Sequence, residues 1–148
     1  MKHDKVGSVM TSDVVSAVYG TPFKEVARLL AGHRISGLPV IDEDDKVIGV
    51  ISETDLMERQ AGTPDPSDPP HPSRLAALTP SGRRQAAKAQ ARTAGQLMTR
   101  PPVTVHADNT IVEAARTMAG SHVERLPVLD EEDRLVGIVT RRDLLQVF

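Results

Sequence analysis

Residues 36–55 read SGLPVIDEDDKVIGVISETD, and residues 124–143 read ERLPVLDEEDRLVGIVTRRD. Each stretch holds two short apolar runs around four acidic residues. A hydroxyl residue follows, and an aspartate comes three positions after it. Apolar runs of this length around a polar turn read as a β-hairpin. The first pairs Leu38–Ile41 with Val47–Ile51 across Asp42–Asp45, and the second pairs Leu126–Leu129 with Leu135–Val139 across Asp130–Asp133.

The likeness extends outward from these hairpins. Met10 and Met98 stand 88 positions apart, and that offset holds without a gap to the end of the chain. It pairs Thr11 with Thr99, Val15 with Val103, Glu25 with Glu113, Gly49 with Gly137, and Asp55-Leu56 with Asp143-Leu144. An internal repeat of this quality decides the architecture ahead of any local propensity. Before each hairpin come a β-prone segment (Val14–Val18, Pro102–Val105) and an amphipathic run. Apolar residues fall at helical spacing at Phe23, Val26, Ala27 and Leu30, and again at Ile111, Ala114, Ala115 and Met118. Thr21 and Asn109 are the expected N-caps, with Pro22 at the first helical position. A last helix opens at Ser52 or Thr140. The expected fold is therefore α+β within the α/β group, two βαββα units in tandem.

Between the copies, residues 62–80 contain six prolines (Pro64, Pro66, Pro69, Pro70, Pro72 and Pro80), which bars regular structure and implies a linker. Residues 83–92, RRQAAKAQAR, read as a solvated helix. The expected organisation is motif one at 1–58, linker and helix at 59–93, and motif two at 94–148.

Composition closes several functional classes. The chain of 148 residues has no cysteine, so disulfides and thiolate chemistry are excluded. A net charge of −2 and only three aromatic residues (Tyr19, Phe23, Phe148) leave no basic footprint or stacking platform for nucleic acid. No stretch reads as a signal peptide or membrane span, so the cytoplasm is the expected compartment. His3, His33, His71, His106 and His122 form no i, i+4 metal pair, and no phosphate-loop or nucleophile-elbow motif occurs. No reaction, catalytic residue or metal site is assigned. The acidic turns read as solvated, though a Mg²⁺ carried in by ATP could still find them.

The doubled pattern GLPVID…KVIGVIS and RLPVLD…RLVGIVT, each with its hydroxyl-x-x-Asp, closely resembles the CBS motif named after cystathionine β-synthase. The resemblance covers both copies and leaves out the linker. It implies a Bateman module: two motifs packed through their sheets about a pseudo-twofold axis, with two clefts between them that bind AMP, ADP, ATP or a related adenosyl compound. Such a module is regulatory, requires no cofactor, and acts on a fused or separate effector domain. An effector beyond Phe148 is expected on that basis. Apolar helix faces at Ala27, Leu30, Ala115 and Met118 imply a disc-like homodimer. A structural dimerisation module with empty or vestigial clefts is the alternative.

At Ser52-Glu53-Thr54-Asp55 and Thr140-Arg141-Arg142-Asp143 two readings coincide. A Ser or Thr N-cap with an acidic residue three positions on makes a capping box. The same geometry offers a helix N-terminus to phosphate and a carboxylate to a ribose diol. The resemblance implies that Asp55 and Asp143 hold ribose, and that Ser52, Thr54 and Thr140 meet phosphate. Arg142 replaces the second hydroxyl in copy two and could bind phosphate itself. Arg125 occupies a place where AMP-binding members of the family contact phosphate, and Gly37 is its counterpart. Adenine would lie near Ser16, Ala17, Gly37, Leu38 and Pro39 in copy one, and near Thr104 and Val105 in copy two. Copy one, with all three polar residues matched, is the first candidate.

Overall fold

The computed structural model describes residues 4–61 and 90–148. The proline-rich stretch and most of the alanine-rich segment lie outside the described residues, as do His3 and His71. Residues 90–92, the end of that segment, are not helical.

Copy one contains β1 (Ala17–Val18), α2 (Phe23–His33), β2 (Gly37–Ile41), β3 (Val47–Ser52) and α3 (Glu53–Ala61), preceded by a single turn α1 (Val6–Val9). Copy two follows the same order: α4 (Ala94–Leu97), β4 (Val105–His106), α5 (Ile111–Ser121), β5 (Arg125–Leu129), β6 (Leu135–Thr140) and α6 (Arg141–Leu145). The sheets run β1-β2-β3 and β4-β5-β6. In the second, β4 is parallel to β5, and β5 is antiparallel to β6 with Arg125 opposite Thr140. The first strand of each copy is only two residues long, shorter than the β-prone run around it suggests.

Side chains close the hairpin turns. Asp42 Oδ1 accepts from the amides of Asp44 (2.8 Å) and Lys46 (3.0 Å). Asp130 Oδ1 accepts from those of Glu132 and Arg134, both at 2.9 Å. Asp45 and Asp133 then take the left-handed conformation, with φ of 61° and 62°. Two of the acidic residues thus organise their turns rather than merely facing water.

The helix starts differ from the expected caps. Thr21 Oγ1 accepts from the amide of Val18 (3.0 Å) and Asn109 Oδ1 from that of His106 (2.7 Å), so both side chains fold back onto the preceding strand. The N-caps are Pro22 and Thr110, one residue later, and only Thr110 supplies a side-chain acceptor, to the amide of Glu113 at 3.1 Å. Each helix's first amide instead finds a backbone carbonyl: Phe23 N–H donates to Arg92 at 2.8 Å, and Ile111 N–H donates to Asp4 at 2.9 Å.

Those two bonds belong to a wider exchange. One compact unit comprises residues 4–16, 41–48 and 101–148, and the other comprises 17–40, 49–61 and 90–100. The segment that precedes each copy in sequence therefore completes the other copy's motif. Thr11 exchanges two backbone bonds with Ile138 (2.8 and 2.9 Å), and Thr99 exchanges two with Val50 (2.8 and 3.1 Å). Methionines lie over the strand glycines. A Cβ on Gly49 would sit 2.5 Å from Met98 Sδ, and one on Gly137 would sit 3.0 Å from both Met10 Cγ and the Thr11 carbonyl. The strand glycines are thus required for this close approach.

The cores follow the repeat. Val6, Val105, Ala114, Leu126, Val128 and Val139 are buried in one unit, and Ala94, Ala17, Val26, Leu38, Val40 and Ile51 occupy the equivalent places in the other.

Candidate functional site

In copy two, strand pairing builds the site. Arg125 begins β5 directly opposite Thr140, the last residue of β6, so the two side chains share one face of the sheet. Thr140 is also the N-cap of α6: its hydroxyl accepts from the Asp143 amide at 3.2 Å, and its own amide donates to Asp143 Oδ2 at 2.8 Å. That is a complete capping box. Asp143 Oδ1 accepts no hydrogen bond among the described residues, and the side chain is half-buried. Arg142 is exposed on the first helical turn, and Thr104 is half-buried at the entry to β4. The motif thus collects a guanidinium, a hydroxyl and a carboxylate with one oxygen uncommitted.

Copy one repeats the box with a different outcome. Ser52 donates to Asp55 Oδ2 from its amide (2.8 Å) and from its hydroxyl (3.2 Å). Asp55 Oδ1 accepts from the Thr99 hydroxyl at 2.9 Å. Both carboxylate oxygens are therefore engaged within the unit, and Asp55 is only 3% exposed. A buried carboxylate with its oxygens satisfied is a structural element first. Thr54 is exposed on the same turn.

The residues expected beside adenine lie deep. Ala17, Leu38, Pro39 and Val105 are buried in their units, and Gly37 opens β2. Ser16 and Thr104 are half-buried. What the buried group can offer a planar base is backbone and van der Waals surface.

Thr99 was not among the residues singled out by sequence. Its signal is its pairing with Thr11 under the 88-residue offset, but the chain gives no hint that only Thr99 reaches its aspartate. The repeat also reaches further back than Met10, since Gly7 and Gly95 are equivalent. A Cβ on Gly95 would strike the Tyr19 ring, and one on Gly7 would stand 3.3 Å from Ala107 Cβ.

Comparisons with known proteins identify the family. The CBS domain family matches residues 6–62 and 94–148. This chain belongs to the CBS domain family. An uncharacterised protein from Methanocaldococcus jannaschii, MJ1426, is 34% identical over 131 residues, covering 82% of this chain and 78% of that one. The chain spans 62% and 64% of two other curated relatives. Among solved structures, CBSX2 of Arabidopsis thaliana in complex with AMP superimposes with a TM-score of 0.80 at 27% identity, covering 97% of this chain and 95% of that one. The CBS domain pair of MJ0100, in complex with 5′-methylthioadenosine and S-adenosyl-L-methionine, gives 0.69 at 26% identity over 97% and 94%.

Two CBS motifs of α+β type are thereby established. Some relatives are enzymes, of which this chain spans about a quarter or less. No helix among the described residues is long and apolar enough to cross a membrane. Among those residues, no three His, Asp or Glu side chains converge as a metal site.

Proposed function

We propose that this CBS pair is a non-catalytic regulatory module whose ligand is an adenine nucleotide or related adenosyl compound. The observation that carries the reading is Asp143 Oδ1, left uncommitted in a capping box beside Arg125 and Thr140. A carboxylate oxygen held this way suits a vicinal diol, which presents two donors. AMP, 5′-methylthioadenosine and S-adenosylmethionine, the ligands of the similar structures, have adenosine in common and differ beyond the 5′ carbon. Adenosine is accordingly the shared element, with Asp143 on ribose. Arg125, Arg142 and Thr140 receive a phosphate or carboxylate beyond it. Copy two is the first site on this geometry, although sequence alone favours copy one. For Asp55 to take ribose, the Thr99 hydroxyl must let go. Ser52 and Thr54 then serve the second site, with Ser16, Ala17, Gly37, Leu38 and Pro39 against its base, as Thr104 and Val105 are in copy two.

The regulated output is a fused or separate effector, and the assembly is a homodimer through the helices of each motif. Mg²⁺ enters only with a polyphosphate. A second reading, dimerisation with a vestigial site, is favoured in copy one by the burial of Asp55.

The test is a thermal-shift screen with AMP, ADP, ATP, NAD and S-adenosylmethionine. A ligand at about a hundredfold over its Kd stabilises by about 2.7 kcal/mol, a melting shift of about 5–10 °C at this size. No shift with any of them at millimolar concentration leaves the dimerisation reading in place.

A further inference from the structure

Thr99 and Thr11 hold one position of the repeat in one backbone frame. Each exchanges two backbone bonds with a strand of the motif it completes, Thr99 with Val50 and Thr11 with Ile138. Both residues are exposed. Their hydroxyls differ: that of Thr99 donates to Asp55 Oδ1 at 2.9 Å, whereas that of Thr11 makes no bond to Asp143 among the described residues. The chain thus contains both arrangements of one element, a threonine closed on its aspartate in copy one and a threonine unbonded to it in copy two.

The step between the two arrangements is small. With the Thr99 backbone pinned to β3, release is a turn about one side-chain bond between staggered positions. It forfeits one hydrogen bond to a charged acceptor. An incoming diol needs that release, because Asp55 is only 3% exposed and its Oδ2 already takes the amide and the hydroxyl of Ser52. Oδ1 is the oxygen by which a diol must enter, and Thr99 occupies it.

We infer that Thr99 sets the affinity of the copy-one site: its hydroxyl is an internal competitor for the ribose diol, and ligand binding there displaces it. This rests on the adenosyl-ligand reading above and adds how the two sites are ranked. The Thr99 bond raises the ligand concentration at which copy one fills by about tenfold, the worth of one such bond. Copy two carries no such latch and fills first, so the pair responds over two concentration ranges. A threonine that merely braced the fold would act with the opposite sign, since its loss would loosen the site and weaken the ligand.

The test titrates AMP calorimetrically into Asp143→Ala, where copy one is the remaining site, and into the same chain carrying Thr99→Val or Thr99→Ser. Thr99→Val should tighten AMP binding about tenfold while lowering the ligand-free melting temperature. Thr99→Ser keeps the hydroxyl and should leave both close to the Asp143→Ala values. Equal or weaker binding in Thr99→Val overturns the inference, and so does absence of AMP binding in both Asp143→Ala and its Thr99→Val derivative. If the unsubstituted chain still binds AMP in that case, the adenosyl-ligand reading stands and only the latch falls. Absence of binding in the unsubstituted chain ends the reading itself. A second arm leaves both aspartates in place: with methyl-labelled threonine, the Thr99 methyl resonance, assigned by its loss in Thr99→Val, should move during the second of two binding stages. A Thr99 methyl unmoved once both sites are filled overturns the displacement.

Discussion

The Thr99 hydroxyl donates to Asp55 Oδ1 at 2.9 Å, a bond that ties the segment leading into copy two to the capping box of copy one. Thr11 holds the equivalent position opposite Ile138, yet makes no such bond to Asp143 among the described residues. This asymmetry between the two copies separates an aspartate locked in the fold from one with an oxygen to spare.

Unequal stability costs follow from that separation. Asp55→Ala removes the N-terminal box and strands the Thr99 hydroxyl, for about 2–3 kcal/mol. Asp143→Ala loses only the box, for about 1 kcal/mol. Thr99→Val should cost about 1 kcal/mol and Thr11→Val less than about 0.5 kcal/mol. Urea unfolding of the four variants checks the order. Equal costs for Asp55→Ala and Asp143→Ala would contradict the assignment.

The strand glycines give a second ordering. The three atoms nearest a methyl on Gly49 all belong to the Met98 side chain, the first at 2.5 Å, whereas those nearest one on Gly137 include the Thr11 carbonyl oxygen at 3.0 Å. Both alanine variants should lose about 1–3 kcal/mol by overpacking, with Gly137→Ala the worse. Met98→Ala should partly rescue Gly49→Ala, because the obstructing side chain is gone. Met10→Ala should rescue Gly137→Ala less, because the carbonyl stays. Equal rescue, read from melting temperatures, would sink the distinction.

Much of this was legible in the chain, for identifiable reasons. The hairpins announce themselves because apolar runs and acidic turns are local signals, and Ser52/Asp55 and Thr140/Asp143 because a capping box has fixed spacing. What stayed hidden was non-local. The exchange of segments 4–11 and 92–99 between motifs rests on backbone bonds such as Phe23 to Arg92, which leave no mark on side-chain pattern. The N-cap shift from Asn109 to Thr110 turned on which of two adjacent acceptors faced back to His106. The burial of Asp55 depended on Thr99, far away in sequence.

Acid pH should act through the hairpin turn of copy two. The amides of Arg134 and Glu132, with the Arg134 guanidinium, hold the Asp130 carboxyl below its usual pKa, against a smaller opposing effect of burial. A carboxylate depressed in the folded state contributes stability that is complete above its unfolded pKa of about 3.9 and is lost as pH falls through the folded value. Asp130→Asn should therefore melt below the wild type at neutral pH, with the gap closing below about pH 4. A gap constant from pH 7 to pH 2 would show that the charge of Asp130 does no work in the turn.

Calorimetric titration of AMP into the wild type, Asp143→Ala and Asp55→Ala bears most directly on the central proposal, provided each variant is shown folded by its melting curve. Asp143→Ala should lose the first binding event while keeping most of its ligand-free stability, because its capping role is worth only about 1 kcal/mol. Asp55→Ala should retain that event despite its larger loss of stability. AMP binding that survives Asp143→Ala unchanged and disappears in a folded Asp55→Ala would contradict the choice of copy two. Absence of binding in the wild type, for AMP and for S-adenosylmethionine alike, would contradict the ligand-binding function itself.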